Sequence, residues 1–352
     1  MLTPAYKLTF GRAANDTSLL GEASSVAAAL GSGAKVVDTT DEPKASTIVD
    51  LRVDLDMDTP ADLFNIVMGQ VGSFKPEQGG QVKIELGYAD NGGVKQVMTG
   101  SIKTVEAELT TRRLGGHSAA AALLQTLVNQ TFENKSAGAI VRDLADKAEV
   151  EVATAQDGIT FPAYVSDARR SVYHHLRDLA ELCGFDLYIN AEGKLVFEKF
   201  AGGKTVHVFE HAKHIIELEA RQTPPAASRV ETFGESRAGR AGDEAWAWLT
   251  KDFSGTKGTA GSGEPLRLIE RSALRTRDAA RTAANAAMTA IQRQTRRGRL
   301  LILGRPEVKL GDAIKLRGVP DDALNKNFQV RRVTHRITKS GGFTTVVGFR
   351  SI

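Results

Sequence analysis

Three of the seven histidines, His207, His211 and His214, fall as H-x3-H-x2-H, and imidazoles at such spacing are where a metal ion would first be sought. On a helix the first two would share a face. Residues 204–219, however, alternate apolar and polar like a strand, which puts 207 and 211 on one side and 214 on the other. No cysteine or carboxylate completes a familiar ligand set, so the three read as surface histidines. His174 and His175 are adjacent and diverge on a helix; His117 and His335 stand alone. Cys183 sits on an apolar helical face, where the reading is a small buried hydrophobe and not a nucleophile. As the only cysteine it excludes an intrachain disulfide and fits a reducing compartment. Gly31-Ser32-Gly33 has the start of a nucleotide-binding loop but lacks its third glycine and its strand-to-helix frame. Asp321-Asp322 lie in a turn-like Val-Pro-Asp-Asp stretch. No G-x-S-x-G, HExxH or S-x-x-K element stands where its mechanism needs it. The residues thus carry no strong sign of a catalytic group, a metal set or a cofactor cradle.

A chain of 352 residues suggests two or three domains, and 41% hydrophobic residues can fill real cores. No stretch approaches the ~20 apolar residues that span a bilayer. The N-terminus lacks the basic and apolar regions of a signal peptide, so a protein made and assembled in a cytoplasm is expected. The net charge of +4 hides an asymmetry. Residues 265–352 carry 19 Lys and Arg against 6 Asp and Glu, a net of +13, while the other 264 residues carry 27 against 36, a net of −9. A basic end can meet nucleic acid, an acidic protein or an acidic face of a neighbouring copy, or be a solvated surface. Aromatic residues, 6% of the chain, do not interleave with the basic ones, and no recognition helix or stacking module is visible.

The elements that would position these residues come in blocks. Thr47 to Leu55, Gly80–Tyr88, 94–98 and 100–109 read as strands, with Asp90-Asn91-Gly92-Gly93 as a hairpin turn. Thr59-Pro60 predicts the start of a short helix burying Leu63, Ile66 and Val67. Residues 19–34, rich in Gly, Ala and Ser, read as a loop. From about 117 the pattern changes. Ser136 caps a predicted helix with Ile140, Val141, Leu144, Ala145 and Ala148 on one face. A second helix is expected over 167–183, stopped by Gly184 as a left-handed cap. A hairpin with a turn at Asn190-Ala191-Glu192-Gly193 follows. Residues 201–220 return to strand character, and Pro224-Pro225 and 254–263 read as loops. One more helix is expected near 272–297, capped by Ser272 and ended by Gly298 after Arg296 and Arg297. Its Ala273, Ala280, Ala284, Ala287 and Ile291 form a small-residue stripe, and Arg275, Arg277, Arg281 and Arg293 are distributed along it. The last fifty residues are strand again.

Four segments, in this order, resemble the late control protein D family of contractile-tail proteins, which is related to the N-terminal hub part of VgrG-type spike proteins. They are Gly80–Tyr88 followed by Gly100-Ser101-Ile102-Lys103-Thr104-Val105-Glu106; Phe132-Glu133-Asn134-Lys135-Ser136 leading into a helix; Arg177-Asp178-Leu179-Ala180-Glu181-Leu182-Cys183-Gly184-Phe185 with Gly193-Lys194-Leu195-Val196-Phe197; and Gly304-Arg305-Pro306-Glu307-Val308-Lys309-Leu310-Gly311-Asp312 with Phe328-Gln329-Val330-Arg331-Arg332-Val333. The motif positions are Gly100, Gly184, Gly304, Pro306, Gly311 and Asp312.

The resemblance implies a mainly β fold: two antiparallel β-barrel-like domains in tandem, 1–117 and 201–352, bracketing an α+β insert over 118–200. It implies a structural baseplate hub of a contractile phage tail or phage-like injection system, assembled in the bacterial cytoplasm, not an enzyme and without a cofactor. The hub would be a homotrimer whose pseudo-sixfold ring joins a sixfold tail tube to a threefold central spike. Because the chain stops soon after the second β region, the spike is expected to be a separate protein. Partners are then the chain itself, the tube, the spike and other baseplate components, with no membrane and no direct nucleic acid. Arg275, Arg277, Arg281 and Arg293 are candidate interface residues. The alternatives are a tail-associated hydrolase and a nucleic-acid-binding module that uses the basic C-terminal section.

Overall fold

Alternating burial organises most of this chain, as it must where a pleated strand turns successive side chains to opposite faces. The computed structural model describes residues 2–13, 35–41, 47–69, 76–234 and 257–352. The first seven strands are β1 (Pro4–Ala13), β2 (Lys35–Asp38), β3 (Ile48–Asp56), β4 (Leu63–Gly69), β5 (Gly80–Tyr88), β6 (Gly93–Ala107) and β7 (Thr111–His117). There follow α1 (Ala120–Gln125), β8 (Gln130–Ser136), α2 (Ala137–Lys147), β9 (Val152–Ala155), β10 (Thr160–Ser166), α3 (Val172–Cys183), β11 (Asp186–Ile189) and β12 (Leu195–Glu198). The remainder comprises β13 (Val206–Glu210), β14 (Ile215–Gln222), β15 (Arg229–Phe233), β16 (Lys257–Gly261), β17 (Leu266–Glu270), α4 (Arg277–Arg293), β18 (Arg296–Leu303), β19 (Ala313–Arg317), β20 (Asn327–Thr338) and β21 (Gly342–Ser351).

The fold is mainly β with a smaller α+β part. The two β regions share one 13-stranded sheet with the path β14-β18-β21-β20-β3-β4-β7-β6-β5-β1-β2, and β13 and β19 branch from β20. No pairing among the described residues closes this path. The halves are welded where β20 runs antiparallel to β3, in register from Arg332 opposite Asp56 to Thr338 opposite Asp50. On one side of that seam Arg336 donates to Asp50 (2.7 Å) and Thr334 to Asp54 (2.7 Å). Beneath it, one apolar core takes Tyr6, Leu8, Ile84 and Leu86 from the early strands and Leu300, Val330, Val347 and Phe349 from the late ones. A second core holds Phe132, Ile140, Leu144, Phe161, Leu176, Leu179 and Phe197, and α4 contributes Leu274, just before it, and Ala279, Ala280 and Ala283. The small side chains of α4 let it lie close to α3: a Cβ on Gly184 would stand 3.0 Å from that of Ala286.

Several local expectations hold. Ser136 accepts the Ala139 N–H (3.2 Å) as the cap of α2, Gly184 ends α3 with φ 70°, and Gly92 and Gly93 turn the β5–β6 hairpin at φ 76° and 66°. Others are corrected. Leu63–Gly69 is strand β4, because Phe64, Ile66 and Met68 bury a period-two face that outweighs the Thr59-Pro60 start signal. Helix α3 begins at Val172, not near 167, since the Val172 N–H is taken by the Thr126 carbonyl. Helix α4 begins at Arg277 and is capped by Thr276, not Ser272, because Leu274 is drawn into the second core. Arg296 and Arg297 open strand β18 and do not close the helix. The expected 254–263 loop contains strand β16, and the expected loop at 19–34 lies outside the described residues. No helix among the described residues is long and apolar enough to cross a membrane.

Candidate functional site: a three-way junction and an exposed arginine face

The residues that could do chemistry are dispersed. His207 ends on Asp312 (2.9 Å), His214 Nδ1 accepts the Glu210 N–H (3.1 Å), and His211 lies in the turn between β13 and β14. Among the described residues no group of three or more His, Cys, Asp or Glu is placed to hold a metal ion. His335 is fully buried with Nδ1 3.0 Å from Thr345 Oγ1, and burial pushes its pKa down to about 3. Burial likewise pushes the Cys183 thiol up to about 11, so almost no thiolate exists at neutral pH. Cys183 is therefore expected to resist a thiol-reactive probe in the native chain and to react fully only in denaturant, a stoichiometric labelling experiment.

The motif positions have local physical reasons. Gly100 lets β6 approach β7, where a Cβ would stand 2.5 Å from the His117 carbonyl oxygen. The Gly304 carbonyl accepts the Tyr88 hydroxyl (3.2 Å) and its N–H donates to Phe343 (2.8 Å), tying the two β regions together. Pro306 lines a cleft of about 190 Å³ with Tyr88, Lys95 and Leu303. Gly311 adopts φ 84° under the Tyr188 hydroxyl. Asp312 accepts the Lys309 N–H (3.0 Å), and its own carbonyl accepts from Val330 (2.9 Å), which fixes the turn into β19.

A cluster that the sequence does not announce joins all three parts of the chain. On β20, Arg331 donates from Nη1 to Asp186 Oδ1 at the start of β11 (2.6 Å), with the two side chains 9% and 7% exposed. The Gln329 amide donates to the other Asp186 oxygen, and Arg350 of β21 donates to Gln329 Oε1 (2.9 Å). Arg331 also pairs with Asp58 in the turn after β3. From α3, Arg177 donates to the Met57 carbonyl (2.7 Å), and the Tyr173 hydroxyl donates to that of Thr59 (3.4 Å). Burial works against the charged form of Asp58, but the Arg331 guanidinium outweighs it and holds the pKa below the usual carboxylate range. Arg350 is pushed down to about 10 by burial and then by Arg331. Arg293 belongs here as well. A candidate interface residue by sequence, it is half-buried here, 5.6 Å from the Phe200 ring centroid and with its pKa lowered by burial. Such a cluster fixes relative position. Its one trace in the sequence is polar residues inside apolar strand runs, Asp186 before Leu187 and Arg331 between Val330 and Val333.

Arg275, Arg277 and Arg281 lie at the other surface, exposed at the N-terminal end of α4, with Arg281 donating to Asp278 (3.0 Å). Exposed Arg267 and Arg271 precede them in the chain.

No family model and no curated protein sequence matches this chain. Its fold is nevertheless that of several solved proteins. The 43 kDa tail protein of prophage MuSo2 from Shewanella oneidensis superposes over 90% of this chain and 96% of its own at 12% identity, with a TM-score of 0.66. A tail protein from Neisseria meningitidis matches 91% and 94% at 13% identity, with a TM-score of 0.65. A component of the type VI secretion system of Escherichia coli, described as structurally similar to the bacteriophage T4 tail proteins gp27 and gp5, matches 87% of this chain and 74% of its own at 10% identity, with a TM-score of 0.57.

Proposed function

We propose that this chain is a structural component of a phage-type tail, and within it the baseplate hub: a homotrimer whose two β regions repeat into a pseudo-sixfold ring that adapts a tail tube to a central spike. The observation that carries this reading is the end-to-end likeness to tail proteins, which includes the β regions and the α+β part together. The buried junction supports it, since a part that transmits load between tube and spike needs its pieces held at fixed angles. The exposed arginines of α4 meet acidic surfaces of a neighbouring subunit or tail partner. This role involves no catalysis.

Light scattering at low and high salt tests the assembly. A mass near three times 37.8 kDa is expected, alone or after addition of tube and spike proteins. A chain that stays monomeric with both partners present overturns the hub. Reversing Arg275, Arg277 and Arg281 to Glu is expected to weaken assembly or docking by about tenfold or more, most at low salt, because exposed charges act mainly through screened long-range attraction. Unchanged assembly removes the arginine face from the interface.

A further inference from the structure

The turn between β3 and β4, residues 56–62, touches both other parts of the chain. Its Met57 N–H donates to the Arg331 carbonyl on β20 (3.0 Å), its Met57 carbonyl accepts from Arg177 on α3 (2.7 Å), and its Thr59 carbonyl accepts from Tyr173 (3.4 Å). Asp62 closes the base of this turn. Its Oδ1 accepts the Asp56 N–H (2.8 Å), and its carbonyl accepts the N–H of Ser118 (3.0 Å), where the chain leaves β7 for α1.

Asp62 is 4% exposed, and no ion pair to it forms among the described residues. The ionisable groups around it offer little to hold a negative charge. Asp56 on β3 is itself an acid. Asp58 on the turn is bound by Arg331, and Arg177 of α3 is engaged with Met57, Asp58 and Glu181. Tyr173 of α3 and Tyr188 of β11 share its surroundings, and His117 is the last residue of β7. The facing residues of α1, Ala120 and Leu123, are apolar. Burial, with Asp56 adding to it, pushes the Asp62 carboxyl up to about 7, although the Asp56 N–H and the Ser118 side chain favour the charged form.

We propose that the 56–62 turn is a proton-operated latch: with Asp62 protonated it closes the α+β part onto the sheet, and loss of that proton to solvent opens it and lets the α+β part shift. The direction follows from the raised pKa. Between about pH 4 and pH 7 the closed turn keeps a proton that an opened, solvated carboxyl releases. Closing therefore weakens as pH rises through this window and levels off above it. The latch does not depend on the hub reading.

Hydrogen-exchange mass spectrometry on the full chain from pH 5 to pH 8 tests it, with protection corrected for the intrinsic exchange rate. In peptides carrying the Met57 and Ser118 amides, protection is expected to fall by up to about tenfold per pH unit below pH 7. The Asp62→Asn variant keeps an acceptor for the Asp56 N–H and is expected to hold protection flat across the range. An equal slope in native chain and variant, or no slope in the native chain, overturns the latch. Should Asp62→Asn fail to fold, carbon-13 titration of the Asp62 carboxyl in the native chain decides: a midpoint near 7 sustains the proposal, and one below 5 ends it.

Discussion

Replacing Asp186 with alanine is expected to lower the unfolding free energy by about 3–5 kcal/mol, because it leaves buried guanidinium charge without its carboxylate. The structure makes this the costliest single charge to remove. Asp186 accepts from Arg331 and Gln329 and lies 3.5 Å from Arg350, and both members of its closest pair are almost fully shielded from water. Surface pairs such as Arg281 with Asp278 are worth little by comparison. Urea denaturation followed by circular dichroism gives the comparison. A second variant, Asp186→Leu with Arg331→Met, should recover part of the loss, since an apolar pair of similar volume avoids the desolvation of both ions. Recovery is incomplete while Arg350 and Arg293 stay charged at the same place. A loss below about 1 kcal/mol for Asp186→Ala would mean that the junction is solvated and does not fix the parts of the chain.

The second large effect is expected at Gly304. An alanine there would put its Cβ 2.1 Å from the Phe343 ring, which is itself buried against Tyr88 and His335. The ring cannot retreat without disturbing both neighbours, and overpacking of this kind costs about 1–3 kcal/mol. Gly304→Ala is thus expected to destabilise the chain by about 2 kcal/mol. If the clash is the cause, the penalty should shrink in a Phe343→Leu background, so the two changes should couple by about 1 kcal/mol or more in a double-mutant cycle. Strict additivity would place the cost in the backbone and not in the ring.

Much of the architecture is legible in the amino-acid order where one face repeats cleanly. Gly80–Tyr88 and the Ser136 cap are examples, since both depend on neighbours within a few residues. Leu63–Gly69 was misread because a local start signal, Thr59-Pro60, competed with burial decided by strands far away in sequence. Arg296 and Arg297 differ for a related reason: cations suit a helix end, but β14 offers both a strand partner and β21 a second one to Arg297. Gly184 is legible as a left-handed helix cap, whereas the rings that crowd Gly304 and Gly311, those of Phe343 and Tyr188, are visible only in space. The junction was the least legible part. Asp186 and Arg331 are 145 residues apart, and neither spacing nor composition pairs them. Arg293 went with its helical neighbours for want of the exact helix phase.

The pairing of β3 with β20 has a consequence for the order of synthesis. Thr334 meets Asp54 across 280 residues, so a nascent chain carries β3 with an open edge until β20 has been made. At about 5–20 residues per second this is a delay of tens of seconds, during which an unpaired strand edge can meet other chains. Loss of the last few strands should therefore harm more than the region they occupy: the N-terminal half would be left without the strand that completes its edge. A product that stops before β20 is then an aggregation hazard and not a smaller working part, and making β20 becomes the step that closes this edge.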